Sequence, residues 1–325
     1  MTQISQESSI QKAFIELAAQ LEQRIIGQAI LVQRLLIALL ADGHLLVEGA
    51  PGLAKTTAIK QLAAHIVADF HRIQFTPDLL PADITGTEIF RPQEGSFTFQ
   101  RGPVFHNLLL ADEINRAPAK VQAALLEAMA ERQVSYGSAT YPLPELFLVM
   151  ATQNPIEQEG TYPLPEAQLD RFLMYVRITY PDVDAEQKIL QLSRLEHEGP
   201  QAATHLITQE QIMEARAACR QVYLSPDLEQ YLIQLVMATR TPQIYQEQLA
   251  SWIRFGASPR ATIALDRCAK AHAWLHGRDF VAPDDIQAVA YEVLRHRILL
   301  TFTAEAEGIT TDDCIREILQ WVAVP

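Results

Sequence analysis

Apolar residues in the first part of the chain recur at helical spacing. Ile10, Phe14, Leu17 and Leu21 fall on one face of a helix over 5–22. Ile25-Ile26-Gly27-Gln28 breaks the pattern, and a Leu- and Ile-rich run over about 29–41 predicts a second helix. The period then changes. Leu45 to Val47 reads as a short buried strand that breaks at Gly49, and helix formers resume near Lys55 and run to about 68. Phe70 to Phe75 predicts the next strand, and Thr76 to Pro81 a loop. Thr87–Phe90 and Ser96–Phe99 alternate around Pro92-Gln93-Glu94-Gly95, the pattern of a β-hairpin. Phe105 to Ala111 forms an apolar strand ending in Asp112-Glu113, and a helix over about 118–132 follows. Gln133–Tyr136 and Ala139–Tyr141 flank Gly137-Ser138, a two-residue hairpin turn. Phe147–Ala151 and about 172–178 are the last strands expected.

From Pro181 onward the pattern is helical throughout, over about 184–195, 208–220, 224–239, 259–276, 283–296 and 312–322, with no strand. Ser225-Pro226 and Ala282-Pro283 have Pro near the first helical position, as helix starts do. Strand and helix alternate before Pro181, which implies a parallel sheet. The expected organisation is therefore an α/β unit over 1–181 carrying two hairpin inserts, then an all-α domain over 182–325.

Composition narrows the possibilities. A chain of 325 residues suits two domains or one large one, and 49% hydrophobic residues supply a substantial core. The formal net charge of −13 argues against a dedicated DNA-binding protein, because phosphate neutralisation dominates that affinity. A local basic patch in the pore of an oligomer stays open. Cys219, Cys268 and Cys314 are odd in number, far apart and without metal-ligand spacing. They read as buried structural thiols in a reducing compartment. No basic segment followed by an apolar run opens the chain, and no stretch of about 18 apolar residues occurs. A cytoplasmic protein without membrane insertion is expected.

The chemistry concentrates at two strand ends. Gly49-Ala50-Pro51-Gly52-Leu53-Ala54-Lys55-Thr56-Thr57 joins a strand to a helix N-terminus, where small residues and free N–H groups make a phosphate cradle. Lys55 offers a point charge to the β- and γ-phosphates, and the Thr56 hydroxyl suits Mg²⁺. The pattern G-x-x-x-x-G-K-[ST] holds except at its second Gly, where Ala54 stands; an Ala there is expected to avoid positive φ. The blander alternative is an ordinary strand–turn–helix corner. Asp112 suits Mg²⁺ through water, and Glu113 is placed to polarise an attacking water. A solvated acidic turn is the alternative for that pair, and the loop one strand away weighs against it. Asn154, at the end of the neighbouring strand, can hold the water or the γ-phosphate, or simply form an Asn-Pro turn. Arg171 and Arg260 are candidates for a charge on the γ-phosphate, against a salt bridge to Asp170 and a helix-start surface charge respectively. Residue chemistry alone does not single them out from the other arginines.

The motif set resembles the AAA+ ATPases, and closely their MoxR family. G-A-P-G-L-A-K-T at 49–56, Q-F-T-P-D-L-L-P-A-D-I-T-G-T at 74–87 and L-L-L-A-D-E-I-N-R-A at 108–117 carry the resemblance. L-L-E-A-M-A-E at 125–131, A-T-Q-N-P at 151–155, L-D-R-F at 169–172 and S-P-R-A-T at 258–262 extend it over nearly the whole chain. The resemblance implies a P-loop parallel sheet with helices on both faces, closed by a C-terminal all-α lid. It implies that Lys55 and Thr56 belong to Walker A, Asp112 and Glu113 to Walker B, and Asn154 to sensor 1. Arg171 matches an arginine finger acting on the ATP of the next subunit, Arg260 matches sensor 2, and Gln28 matches the segment near adenine. The hairpins resemble the helix-2 insert and the pre-sensor-1 hairpin.

ATP and Mg²⁺ are the implied cofactors, and a homo-hexameric ring the implied assembly. Partners in the family often carry a von Willebrand factor A domain, so chaperone-like remodelling or maturation of a client is the expected function. A nucleic-acid motor is the first alternative, and the acidic balance counts against it. A magnesium-chelatase-like subunit is another, and the 74–87 string favours MoxR. A nucleotide-switched scaffold with little turnover is a third, against which the complete acidic pair and finger count.

Overall fold

The computed structural model describes residues 2–93, 95–155, 160–195 and 206–325. They divide into two compact units: Glu16–Arg171 with Val176–Met213, and the N-terminal stretch through Ile15 with Phe172–Tyr175 and Glu214–Pro325.

The first unit is α/β. α1 (Thr2–Arg24) brings Leu17 and Leu21 into its core, and α2 (Ala29–Leu40) is buried along most of its length. Gly27 turns the chain between them at φ +77, a left-handed conformation suited to glycine. The next elements are β1 (Leu45–Glu48), α3 (Lys55–Ala64), β2 (Phe70–Gln74) and α4 (Pro81–Thr85). Then come a hairpin of β3 (Gly86–Arg91) and β4 (Ser96–Arg101), β5 (Leu108–Asp112) and α5 (Ala119–Glu131). A second hairpin, β6 (Gln133–Tyr136) and β7 (Ala139–Pro142), leads to β8 (Leu148–Gln153), α6 (Glu166–Leu169) and β9 (Met174–Arg177).

Five strands form one sheet in the order β2-β5-β8-β1-β9, and the pairs β2–β5, β5–β8 and β8–β1 are parallel. β5 and most of β8 are buried on both faces, which is why they read as unbroken apolar runs. From β1 the chain crosses to β2 and returns through β5 and β8 before β9 forms on the other side of β1. Strand order reverses around β1, and ligands of such sheets bind beyond the carboxyl ends of the strands at that place.

Some elements depart from the expected ones. α3 stops at Ala64 instead of about 68, because Val67 N donates to Ile207 O (2.9 Å) and Ile207 N to His65 O (2.9 Å). The same bonds tie Ile207 to the α/β unit, which also includes α7 (Val183–Leu195). β5 begins at Leu108 because Pro103–Phe105 is a 3-10 turn. The chain after the Thr76–Pro81 loop makes the five-residue α4, whose Asp83 Oδ2 accepts from Leu80 N at 2.8 Å.

The second unit is largely helical. α8 (Gln209–Gln221), which belongs to this unit from Glu214 on, leads into α9 (Pro226–Arg240) and α10 (Glu247–Trp252). β10 (Ile253–Phe255), α11 (Pro259–Leu275), α12 (Pro283–Leu294), β11 (Leu299–Leu300), α13 (Phe302–Ala306) and α14 (Thr311–Trp321) complete it. Helices α9, α11, α12 and α14 pack on one another through buried Leu232, Leu235, Leu265, Val289, Ile315 and Ile318. β10 and β11 correct the expectation of no strand after Pro181: Ile253 pairs with Leu300 and Phe255 with Leu299, antiparallel. Strands this short have too few residues to show a period.

The start of α1 belongs to this unit, since Phe14 meets Trp274 edge-on at 5.5 Å and Gln11 Nε2 donates to Trp274 O at 2.8 Å. Phe172–Tyr175 belongs to it because Arg295 and Arg297 donate to the carbonyls of Tyr175 (3.0 Å) and Phe172 (2.6 Å). Asp285, fully buried, accepts from His272 Nδ1 (2.6 Å), Arg278 Nη2 (2.6 Å) and Ala282 N (2.7 Å). Burial alone would raise the Asp285 pKa, but the hydrogen bonds from His272 and Arg278 outweigh it and hold the carboxyl down at about 2. Among the described residues no helix is long and apolar enough to cross a membrane. Cys219, Cys268 and Cys314 are buried and form no disulfide.

Candidate nucleotide site

Three adjacent strands end at the same edge of the sheet, and each delivers one part of the predicted chemistry. β1 runs into Gly49, β5 into Asp112-Glu113 and β8 into Asn154. The parallel register aligns Glu48 with Gln153 and Ala111 with Ala151, so the three ends are level.

The loop after β1 is drawn in against its neighbours. Gly49 N donates to Gln153 O at 3.3 Å, and Lys55 Nζ donates to Gly49 O (2.5 Å) and Gln153 O (3.3 Å). A Cβ on Gly49 would lie 2.4 Å from Ile178 Cγ1, so close packing demands glycine there. Ala50 and Leu53 are buried, which anchors the loop from within, while Pro51, Gly52 and Thr57 are exposed and Ala54, Lys55 and Thr56 half-buried. Gly52 adopts φ +83.

Ala54 corrects an expectation. It does not avoid the left-handed region but occupies it, at φ 59 and ψ 16, as the residue capping α3. The turn that aims the first N–H groups of α3 into the loop requires this conformation, and tertiary packing imposes it on a residue that disfavours it. Glu113 is the second strained residue of the site, at φ 57 and ψ 51.

The acidic pair is held from both sides. Asp112 Oδ1 accepts from Thr152 Oγ1 at 2.6 Å, and Glu113 N donates to the same hydroxyl at 2.9 Å. Thr152 is fully buried on β8, so one side chain links the two acids to the strand carrying Asn154. On the other flank Arg72 Nη2 donates to Asp112 Oδ2 at 2.7 Å, and Gln74 Nε2 donates to Glu113 Oε2 at 2.9 Å. Arg116 Nε lies 3.2 Å from that same Oε2. Sequence reading missed Thr152, Arg72 and Gln74. The available signal was a hydroxyl at the end of an apolar strand and two polar residues at period two on the strand beside Asp112.

The donor set fits Mg²⁺. The Thr56 hydroxyl and the Asp112 carboxylate are hard oxygen donors, and both Asp112 oxygens already accept a hydrogen bond, which suits contact through metal-bound water.

The family described as ATPases associated with various cellular activities (AAA) matches residues 44–174, and the AAA lid domain matches residues 245–318. The chain is 48% identical over 302 residues to chaperone MoxR1 of Mycobacterium tuberculosis, covering 93% of this chain and 79% of that protein. It is 34% identical to protein MoxR of Paracoccus denitrificans over 89% of each. The chain belongs to the MoxR family of AAA+ ATPases. A crystal structure of a candidate ATPase from Cytophaga hutchinsonii superposes with TM-score 0.91 at 46% identity, covering both chains fully.

In this MoxR-family chain Asn154 is buried at the end of β8, next to the Thr152 link. Gln28 is buried, with Nε2 donating to Thr179 O at 2.9 Å. It lines a cavity of about 900 Å³ together with Ile26, Gly27, Ile178, Thr179 and Lys188. Arg171 is half-buried and donates Nη1 to Leu126 O of α5 at 2.7 Å. Arg260 is exposed in the first turn of α11, where Ser258 Oγ accepts from its N–H at 3.1 Å. A cation in a helix's first turn opposes the macrodipole, an arrangement that local stability does not favour.

Proposed function

We propose that the chain hydrolyses ATP and uses the cycle to remodel or mature partner proteins, working as a ring. The observation that carries the hydrolytic part is the Asp112–Thr152–Glu113 link beside a loop drawn onto Gln153 by Lys55. Phosphoryl transfer needs positioning and charge stabilisation more than covalent help. In this reading the loop N–H groups and Lys55 bind the β- and γ-phosphates, and Thr56 and Asp112 hold Mg²⁺, which neutralises charge on the phosphate oxygens. Glu113 accepts a proton from the attacking water, and Asn154 orients that water. Gln28 and its cavity take the adenine. By family resemblance Arg260 takes the sensor 2 role.

Arg171 serves the next subunit. Its anchorage on α5, where Nη1 donates to Leu126 O, supports that assignment. The finger in trans ties activity to assembly, and the ring is a homo-hexamer by family resemblance. The relative named a chaperone supports protein clients, and the acidic net charge supports proteins over nucleic acid. Partners with a von Willebrand factor A domain are the first to test.

ATPase rate per protomer measured against protein concentration tests the reading. It should rise as the ring assembles, and Arg171→Ala should lose roughly 10³–10⁵ in rate while still binding ATP. A dilute monomer as fast as the assembled protein would remove Arg171 from this role. Stimulation by single-stranded DNA, with no protein retained by Glu113→Gln, would favour a nucleic-acid motor instead.

A further inference from the structure

A guanidinium stands against the carboxylate read above as a cation ligand: Arg72 Nη2 lies 2.7 Å from Asp112 Oδ2. Arg72 lies on β2 in register with Leu110, and Gln74, two residues on, is in register with Asp112. Strand alternation places Arg72 and Gln74 on the same face. Arg72 donates to Asp112 Oδ2 through both Nε (3.0 Å) and Nη2 (2.7 Å), and Nη2 also donates to Gln74 Oε1 at 2.8 Å. Thr152 Oγ1 holds Oδ1 independently, at 2.6 Å.

We propose that Arg72 is a built-in competitor of the divalent cation at Asp112, a positioning residue that keeps the cation exchangeable. The proposal rests on the reading of Asp112 as a cation-binding residue. A carboxylate offers about four lone-pair sites. Two N–H groups of Arg72 occupy Oδ2 and the Thr152 hydroxyl occupies one site of Oδ1, so the remaining capacity suits one water of a hydrated cation. A cation bound directly to Oδ2 must first expel the guanidinium.

Two effects oppose each other when Arg72 is removed. Asp112 loses an orienting contact, which weakens cation binding, and loses a neighbouring positive charge, which strengthens it. Orientation is the smaller effect, because fully buried Thr152 still fixes Oδ1 and Asp112 ends a strand buried on both faces. The charge effect dominates, moderated by solvent because the Arg72 side chain is 44% exposed.

Mn²⁺ serves as the probe, titrated into the full-length protein saturated with ADP, with free Mn²⁺ read by electron paramagnetic resonance. Arg72→Met, which keeps the stem and removes the charge, should bind Mn²⁺ roughly tenfold more tightly than the wild type. Arg72→Lys, which keeps the charge, should stay near the wild type. Unchanged or weaker binding by Arg72→Met would overturn the proposal, as would an equal gain in Arg72→Lys. Asp112→Asn separates the two levels of the claim. If it binds Mn²⁺ as tightly as the wild type, the reading of Asp112 fails and the proposal with it. If it binds weakly while Arg72→Met is unchanged, the proposal alone fails.

Discussion

Ala54 offers a local test of how the phosphate loop is built. Its left-handed conformation, φ 59 and ψ 16, costs an L-residue about 1–2 kcal/mol. Glycine adopts it without steric cost but loses more chain freedom on folding, about 0.5–1 kcal/mol relative to alanine. Ala54→Gly should therefore stabilise the α/β unit by roughly 0.5–1 kcal/mol. Fluorescence alone would miss this, because Trp252, Trp274 and Trp321 all lie in the other unit. Hydrogen exchange at the amides of α3 reads the site directly, and their opening should slow by a factor of about 2–5. Tryptophan fluorescence during urea unfolding then serves as the control and should not move. Faster exchange at α3 in Ala54→Gly would refute the reasoning, since it would mean that the alanine methyl contributes more than the strain costs. Unchanged exchange at α3 with a shifted tryptophan transition would refute the assignment of the effect to this loop.

Other perturbations follow from the same contacts. Thr152→Val keeps shape but leaves Asp112 Oδ1 and Glu113 N without their shared hydroxyl, so it should destabilise by about 1–3 kcal/mol in urea unfolding and lower ATP turnover. Gly49→Ala puts a methyl against Ile178 and should cost about 1–3 kcal/mol, with weaker nucleotide binding in a fluorescent-nucleotide titration. Asp285 has a depressed pKa, so its contribution is fully present above the unfolded carboxyl value near 4 and is lost as pH falls towards 2. That contribution is about 2 kcal/mol, and tryptophan-monitored acid unfolding should show it in the wild type and not in Asp285→Asn.

The sheet and the two main acids were legible because buried parallel strands are continuous apolar runs, and Asp112-Glu113 interrupts one at its end. The hairpins were legible through alternation around turn residues, and β3–β4 and β6–β7 form as expected. Short or non-local features were not. β10 and β11 pair residues far apart in sequence, and their few positions carry no period. The end of α3 depends on a bridge to Ile207 that no local pattern contains. Arg72, Gln74 and Thr152 were hidden for a related reason: each acts across a strand pair, so its meaning appears only when the strand order is known. Ala54 shows local preference overruled. The strand and the helix start on either side of the loop lie where they were expected, and the conformation of Ala54 does not follow the expectation, because closing the loop outweighs what an isolated alanine prefers.

Hydrolysis by Glu113→Gln, measured in a single turnover beside equilibrium binding of ATP with Mg²⁺, tests the central claim most directly. Glutamine keeps the shape of the side chain and loses the base, so ATP binding should match the wild type while the chemical step slows by roughly 10²–10⁴. Hydrolysis at the wild-type rate in that variant would contradict the account of the site.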